Sequence, residues 1–203
     1  MKIKTKVCGL RDRNNVIEVT ELGPDYIGFI FYRRSARYAG DHDLEFLNDL
    51  SGVKKVAVFV NASESEIDNI VERYRFDAVQ LHGSEDPEFC GRIREKGIEL
   101  IKAFGVDQDF DFSRLKSYTT VVDYFLFDTK TIMHGGSGMK FDWDILSKYE
   151  EPIPYFISGG IDEHAFQAAK NLSDERLYCI DINSRFEVEP GMKNISLLRS
   201  VLK

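Results

Sequence analysis

A thiol, a carboxyl group and a knot of guanidinium groups each fall just after a short apolar stretch of this 203-residue chain. Cys8 follows KTKV, Asp128 follows YFLF, and Arg33, Arg34 and Arg37 crowd FYRRSARYAG. A cysteine in such a place is either a small core residue or a thiol aimed at a ligand. Comparable strand-end positions hold Asn61 in FVNAS, His82 in QLHG, Gly159 and Gly160 in ISGG, and Asp181, Asn183 and Ser184 in IDINS. Taken singly, each is explained by turn and cap chemistry. Their number asks for a fold that gathers strand ends at one rim.

Two of these stretches suit a phosphate. ISGGID lets the backbone approach a ligand closely at Gly159 and Gly160, and DINSRFEVEPG offers the amides of Asn183, Ser184 and Arg185 at the start of a short helix. The arginines supply a local cation in an otherwise acidic chain. A guanidinium matches a carboxylate bidentately, and Arg37 is spaced to bend over the rim. The expected ligand is an anion with a phosphate at one end and a carboxylate at the other. A third glycine-rich stretch, HGGSGMKFDW, reads either as a flap that folds over the ligand or as a plain loop.

The elements that position these groups follow from two alternating periodicities. KIKTKV, YIGFIF, KKVAVF, DAVQLH, ELIKAF, YFLFD, PYFIS and LYCIDI are eight apolar runs rich in β-branched and aromatic residues, as strands buried on both faces require. Helical spacing lies between them. In SESEIDNIVERY, Ile67, Ile70, Val71 and Tyr74 share one face, and Ser63 with Glu66 forms a capping-box pattern. The segment from Asp12 to Leu22 stops at Gly23 and Pro24, Asp86 precedes Pro87 at the start of another helix, a further one begins near Asp162, and KNISLLRSVLK closes the series. Eight strand and helix alternations predict an α/β chain whose parallel sheet closes as a (β/α)8 TIM barrel, a single domain over residues 1–203. The competing doubly wound sheet lacks its GxGxxG fingerprint after the first strand. In a barrel, all the strand-end residues above meet at the C-terminal mouth, and the seventh and eighth loops are where barrels often hold phosphate.

Composition narrows the class. A chain with 43% hydrophobic and 30% charged residues has the makeup of an ordinary soluble domain. Its net charge of −7 disfavours nucleic acid or an anionic membrane as partner, since both need a basic stripe. There is no apolar run near the roughly 18 residues that span a bilayer, and the start lacks a secretory pattern, so a cytoplasmic location is expected. Cys8, Cys90 and Cys179 are odd in number and show no CxxC spacing, which fits a reducing compartment and argues against a zinc site; no metal is expected. Cys90 and Cys179 lie within apolar patterns and read as packing residues. His42, His134 and His164 read as loop residues.

KVCG, FVN, VQLHG, DT followed by GGSG and FDW, SGG, and D-x-x-S-x-x-E-x-x-PG-x-K together resemble phosphoribosylanthranilate isomerase, the aldose-ketose isomerase of tryptophan biosynthesis. The resemblance runs from Lys6 to Lys193. It implies a (β/α)8 barrel that works without cofactor or metal on a small phosphorylated aminosugar, as a monomer or a homodimer. It implies Cys8 as general base and Asp128 as general acid, Arg37 as the contact to the anthranilate carboxylate, and His82 and Asp181 as further active-site groups. The phosphate cradle it implies lies around Gly159, Gly160, Asn183, Ser184 and Arg185.

The chemistry so implied is an Amadori rearrangement. Opening the ribose ring needs a proton on the departing ring oxygen, which Asp128 supplies if burial keeps it protonated, and a thiolate at Cys8 then removes the acidic C2′ hydrogen of the Schiff base. A free thiol titrates near 8.5, so Lys6, another cation or local amides must favour the thiolate. The two groups belong to distant strands and are expected to face each other across the ligand without bonding to each other. The chain departs from the family pattern in two places: NSRFE stands where SSGVE is common, so that Arg185 replaces a glycine, and Asn194 stands where an aspartate is common. Arg185 either narrows the approach to phosphate or adds a contact to it. The corresponding histidine-pathway isomerase is the neighbouring alternative, but it calls for aspartates in both acid-base roles, against Cys8. A non-catalytic phosphosugar-binding barrel is the other, against the presence of both Cys8 and Asp128.

Overall fold

The structure is a computed structural model that describes residues 2–129 and 143–203. Eight strands pair in parallel and in sequence order, and the eighth returns to the first. They are β1 (Lys4–Val7), β2 (Tyr26–Ile30), β3 (Lys54–Phe59), β4 (Ala78–Leu81), β5 (Glu99–Val106), β6 (Tyr124–Thr129), β7 (Tyr155–Ile157) and β8 (Leu177–Ile182). Each lies within or about one of the apolar runs read from the sequence. They look continuous because both faces are buried, the period-two alternation sorting residues between two cores. In β3, Val56 and Val58 point into the barrel while Ala57 and Phe59 join the outer layer beneath the helices. A slip in register between Tyr155 and Phe156 on one side and Leu177 and Cys179 on the other marks a bulge where β7 meets β8. Aromatic rings plug the N-terminal end of the interior: Tyr124 stacks on Tyr178 at 4.5 Å, and the hydroxyls of Tyr26 and Tyr178 lie 3.1 Å apart.

The helices are α1 (Arg13–Glu21), α2 (Glu64–Tyr74), α3 (Pro87–Arg94), α4 (Glu163–Lys170) and α5 (Ile195–Leu202). Their starts obey local capping chemistry, with Asp12, Ser63, Asp86, Asp162 and Asn194 each accepting a hydrogen bond from a first-turn amide. Asn194 therefore performs the capping task that an aspartate performs equally well. Gly23, at φ 78°, terminates α1 as its position ahead of Pro24 implied.

The alternation is less regular than the sequence suggested. Among the described residues, the crossovers after β2, β5 and β6 carry 3₁₀ segments, Glu45–Asp49, Phe112–Tyr118 and Trp143–Lys148, and no α-helix. In the second of these, Asp111 accepts from the amide of Ser113, and the hydroxyls of Ser117 and Thr119 donate to the carbonyls of Arg114 and Lys116. Side chains that bond their own backbone compete with a regular helix. Past β8, the 3₁₀ turn Ser184–Phe186 leads into a small hairpin, β9 (Glu187–Glu189) and β10 (Met192–Lys193).

Candidate active site

The inward positions near the C-terminal ends of β1, β4, β6 and β8 hold Lys6, Cys8, Gln80, His82, Asp128 and Asp181, and most of them are joined in one polar chain. Lys6 and Asp181 face each other by strand register and meet at 2.7 Å. Lys6 also donates to Gln80 Oε1 at 2.7 Å, and the other end of that amide lies 3.0 Å from His82 Nδ1. His82 Nε2 then stands 3.4 Å from Asp128 Oδ2. Burial works against the Lys6 ammonium, yet Asp181 and the Cys8 sulfur outweigh it and hold its pKa above the usual lysine value, so the contact with Asp181 is an ion pair. Burial pushes the Asp181 carboxyl up while Lys6 opposes it, and Asp128 and His82 also act on it electrostatically. Asp181 Oδ1 is buried without a hydrogen-bond partner among the described residues.

Cys8 is 5% exposed. Space for its sulfur comes from Gly28 on β2: a Cβ there would lie 2.7 Å from Cys8 Sγ and 3.2 Å from Lys6 Cε. Burial pushes the Cys8 thiol up, with Lys6 and Lys193 opposing and Asp181 adding to the rise. Burial thus works against the thiolate that the expected mechanism calls for. Desolvation is the largest of these effects and prevails over the two lysines. Asp128 is 28% exposed, so its burial is partial.

His82 is held from behind. The buried Lys102 ammonium meets Glu85 at 3.0 Å and also donates to the carbonyls of Leu81, Gly83 and Ala103, while Glu85 accepts from the amides of Asn61 and Gly83. Asn61, in the left-handed region at φ 52°, accepts from the amide and hydroxyl of Ser84. It therefore clamps the loops after β3 and β4, the bland alternative for that residue.

Arg37 does reach the mouth, where it meets Glu187: its Nε lies 2.9 and 3.0 Å from the two carboxylate oxygens, and its Nη2 lies 2.7 Å from Oε2. Lys193 donates to Glu187 Oε1 and to Asn183 Oδ1, both at 2.7 Å. Burial opposes the charge on Glu187, but Arg37 and Lys193 outweigh it and hold its carboxyl below the usual range. Burial draws the Lys193 ammonium down to about 8 in spite of Glu187. Gly9 allows this assembly, because a Cβ at Gly9 would lie 2.6 Å from Asn183 Oδ1 and 2.7 Å from Arg37 Cδ.

The two loops expected to hold phosphate follow β7 and β8, which pair, so they are neighbours. Gly159 and Gly160 have φ of 97° and 62°, and a Cβ on Gly159 would strike Thr129 at the end of β6. Ser184 opens the 3₁₀ turn, and Arg185 within it is exposed and keeps a negative φ, so its backbone does not require the glycine it replaces. Residues 134–142 of HGGSGMKFDW, His134 among them, lie outside the described residues. His42 and His164 are exposed, and Cys90 and Cys179 are wholly buried. Gln80, Glu187 and Lys193 took no part in the sequence reading of the site, although all three fall within the quoted motifs; buried polar residues in or beside apolar runs were the available signal. Among the described residues, no helix is long and apolar enough to cross a membrane.

Residues 5–203 match the family model for N-(5'phosphoribosyl)anthranilate (PRA) isomerase. A protein of Parabacteroides distasonis named N-(5'-phosphoribosyl)anthranilate isomerase is 42% identical over 201 residues, covering 98% of this chain and 91% of its own length. The crystal structure of phosphoribosyl anthranilate isomerase from Thermotoga maritima superposes with a TM-score of 0.86 at 31% identity, over 99% of this chain and 97% of that one. A crystal structure of the isomerase in complex with reduced 1-(o-carboxyphenylamino)-1-deoxyribulose 5-phosphate has a TM-score of 0.83 at 28% identity, with the same coverage.

Proposed function

The chain belongs to the N-(5'-phosphoribosyl)anthranilate isomerase family, and we propose on that premise that it converts N-(5'-phosphoribosyl)anthranilate to 1-(2-carboxyphenylamino)-1-deoxyribulose 5-phosphate, an aldose-ketose isomerisation of tryptophan biosynthesis. The observation that carries the residue assignment is the shared neighbourhood of Cys8 and Asp128. A Cβ at Gly28 would touch both Cys8 Sγ and Lys6 Cε, and from Lys6 the contacts run through Gln80 and His82 to Asp128, although Cys8 follows β1 and Asp128 lies near the end of β6.

Asp128 gives its proton to the ribose ring oxygen as the C1′–O bond breaks and the anilino nitrogen forms a protonated Schiff base. The Cys8 thiolate takes the C2′ proton, and the pair of electrons of the broken C2′–H bond neutralises the iminium to give an enolamine. Transfer of the 2′-hydroxyl proton to C1′ then yields the ketose. Because burial holds Cys8 as a thiol at rest, turnover draws on a minority thiolate, and Lys6 and Lys193 are the cations that keep it accessible.

The ligand's two anionic ends fit opposite sides of the mouth. Glu187 takes the Nε and Nη2 edge of Arg37 and so orients the guanidinium; we assign the Nη1 edge to the anthranilate carboxylate. The phosphate belongs to the loops of Gly159 and Gly160 and of Asn183, Ser184 and Arg185. The barrel closes within one chain, so the catalytic unit is one chain whether the enzyme is a monomer or a homodimer. Three free, buried cysteines suit a reducing cytoplasm.

The test is loss of anthranilate-type fluorescence on adding purified protein to fresh substrate. Wild type is expected to consume it, with Cys8→Ala and Asp128→Asn each losing at least about 100-fold in kcat. An inactive wild type, or full turnover in both variants, refutes the assignment.

A further inference from the structure

We propose that Gln80 is a positioning residue that holds His82 with its hydrogen on Nε2, so that a donor and not a lone pair faces Asp128. The inference rests on the reading of Asp128 as proton donor, but its geometry stands apart from that reading. Gln80 is buried in the barrel interior, and its carboxamide lies between two groups that leave it one orientation. Lys6 Nζ is 2.7 Å away on one side. An ammonium can only donate, so the amide oxygen must face it; Lys6 is itself anchored by Asp181 at 2.7 Å from the other direction. The amide nitrogen therefore faces His82 Nδ1 at 3.0 Å. An amide NH₂ also only donates, so Nδ1 must offer its lone pair, and a hydrogen on Nδ1 would point into the amide's own hydrogens. The ring hydrogen is left to Nε2, which lies 3.4 Å from Asp128 Oδ2.

Donation thus runs one way, from Lys6 through Gln80 to His82, and leaves the His82 N–H facing Asp128 across 3.4 Å. The consequence falls at the proton-transfer step. When the acid hydrogen leaves one oxygen of Asp128 for the ribose ring oxygen, the charge that forms is met by an N–H on the other oxygen. The opposite tautomer would present a lone pair to the same charge and oppose the transfer. At 3.4 Å the contact is long, as catalytic hydrogen bonds often are before substrate binds.

Long-range ¹H–¹⁵N spectra of ¹⁵N-labelled protein, with the His82 signals assigned by their loss in His82→Asn, read the tautomer directly and need no activity. Wild type is expected to show a protonated Nε2 and a bare Nδ1. Gln80→Glu is near-isosteric but can only accept, from Lys6 and from a hydrogen on Nδ1, so it is expected to reverse the pattern and lower kcat about 10- to 100-fold while KM stays within about threefold. A wild-type ring protonated on Nδ1 overturns the proposal, as does a folded Gln80→Glu variant that keeps the wild-type tautomer or that reverses it at undiminished kcat. If wild type fails to turn over the substrate at all, the proposed function falls while the wild-type spectrum still decides the tautomer.

Discussion

Gly28→Ala adds one methyl group to the inner face of β2, at the place where the barrel interior makes room for Cys8. The new Cβ would lie 2.7 Å from Cys8 Sγ, 3.2 Å from Lys6 Cε and 3.3 Å from Cys8 Cα. Favourable contacts between heavy atoms lie at about 3.5–4.0 Å, so the sulfur must retreat by roughly 1 Å. Lys6 has little freedom to follow, since Asp181 and Gln80 hold its ammonium at 2.7 Å each. Overpacking of this kind destabilises a core by about 1–3 kcal/mol, or roughly 2–12 °C in melting temperature for a chain of this size. Displacing a reacting atom by about 1 Å costs about 100-fold in rate. The variant is therefore expected to fold, to bind a product analogue within about threefold of wild type by calorimetry, and to lose about 100-fold in kcat in the fluorescence assay. A variant that melts lower yet turns over at the wild-type rate would refute the reasoning, because it would show that the sulfur's position does not govern the reaction.

Alkylation by iodoacetamide should report the state of Cys8, since Cys90 and Cys179 are fully buried. Burial raises its pKa, so well below that value the thiolate fraction and the alkylation rate should rise about tenfold per pH unit and continue rising past the usual thiol value of about 8.5; a plateau reached below pH 8 refutes the raised pKa. Glu187→Gln removes the charge that orients Arg37 and should raise KM about 10-fold with kcat within about threefold, an unchanged KM being the refuting result. Lys6→Met leaves Asp181 buried without its cation and should destabilise the fold by about 3–5 kcal/mol in urea titration. Adding Asp181→Asn should restore much of that loss, and strict additivity of the two substitutions would show that the pair is not coupled.

Strands, caps and the order of the barrel were legible in the sequence because each is decided over a few neighbouring residues. Asp12, Ser63, Asp86 and Asp162 cap helices that begin one residue later, and the apolar run LYCIDI is β8 to the residue. The crossovers after β2 and β5, which carry no α-helix, were not legible, since the hydroxyls and carboxylates that bond back to their own backbone there are common in helices and turns alike. Closure of the strands in sequence order also implied that Cys8, His82, Asp128 and Asp181 would come to one end. Which polar groups neutralise one another was decided only by the tertiary structure. Gln80 meets Lys6 across 74 positions of chain, and Glu187 meets Arg37 across 150. Pairing at such separations depends on side-chain directions and sub-ångström gaps, such as the room that Gly28 leaves for a sulfur. The pKa of Cys8 belongs to the same class: a lysine two residues away suggested activation, but burial, with the carboxylate of Asp181 adding to it, outweighs that lysine, because a titrating group responds to the net field and solvent access at its own atom and not to the nearest charge along the chain.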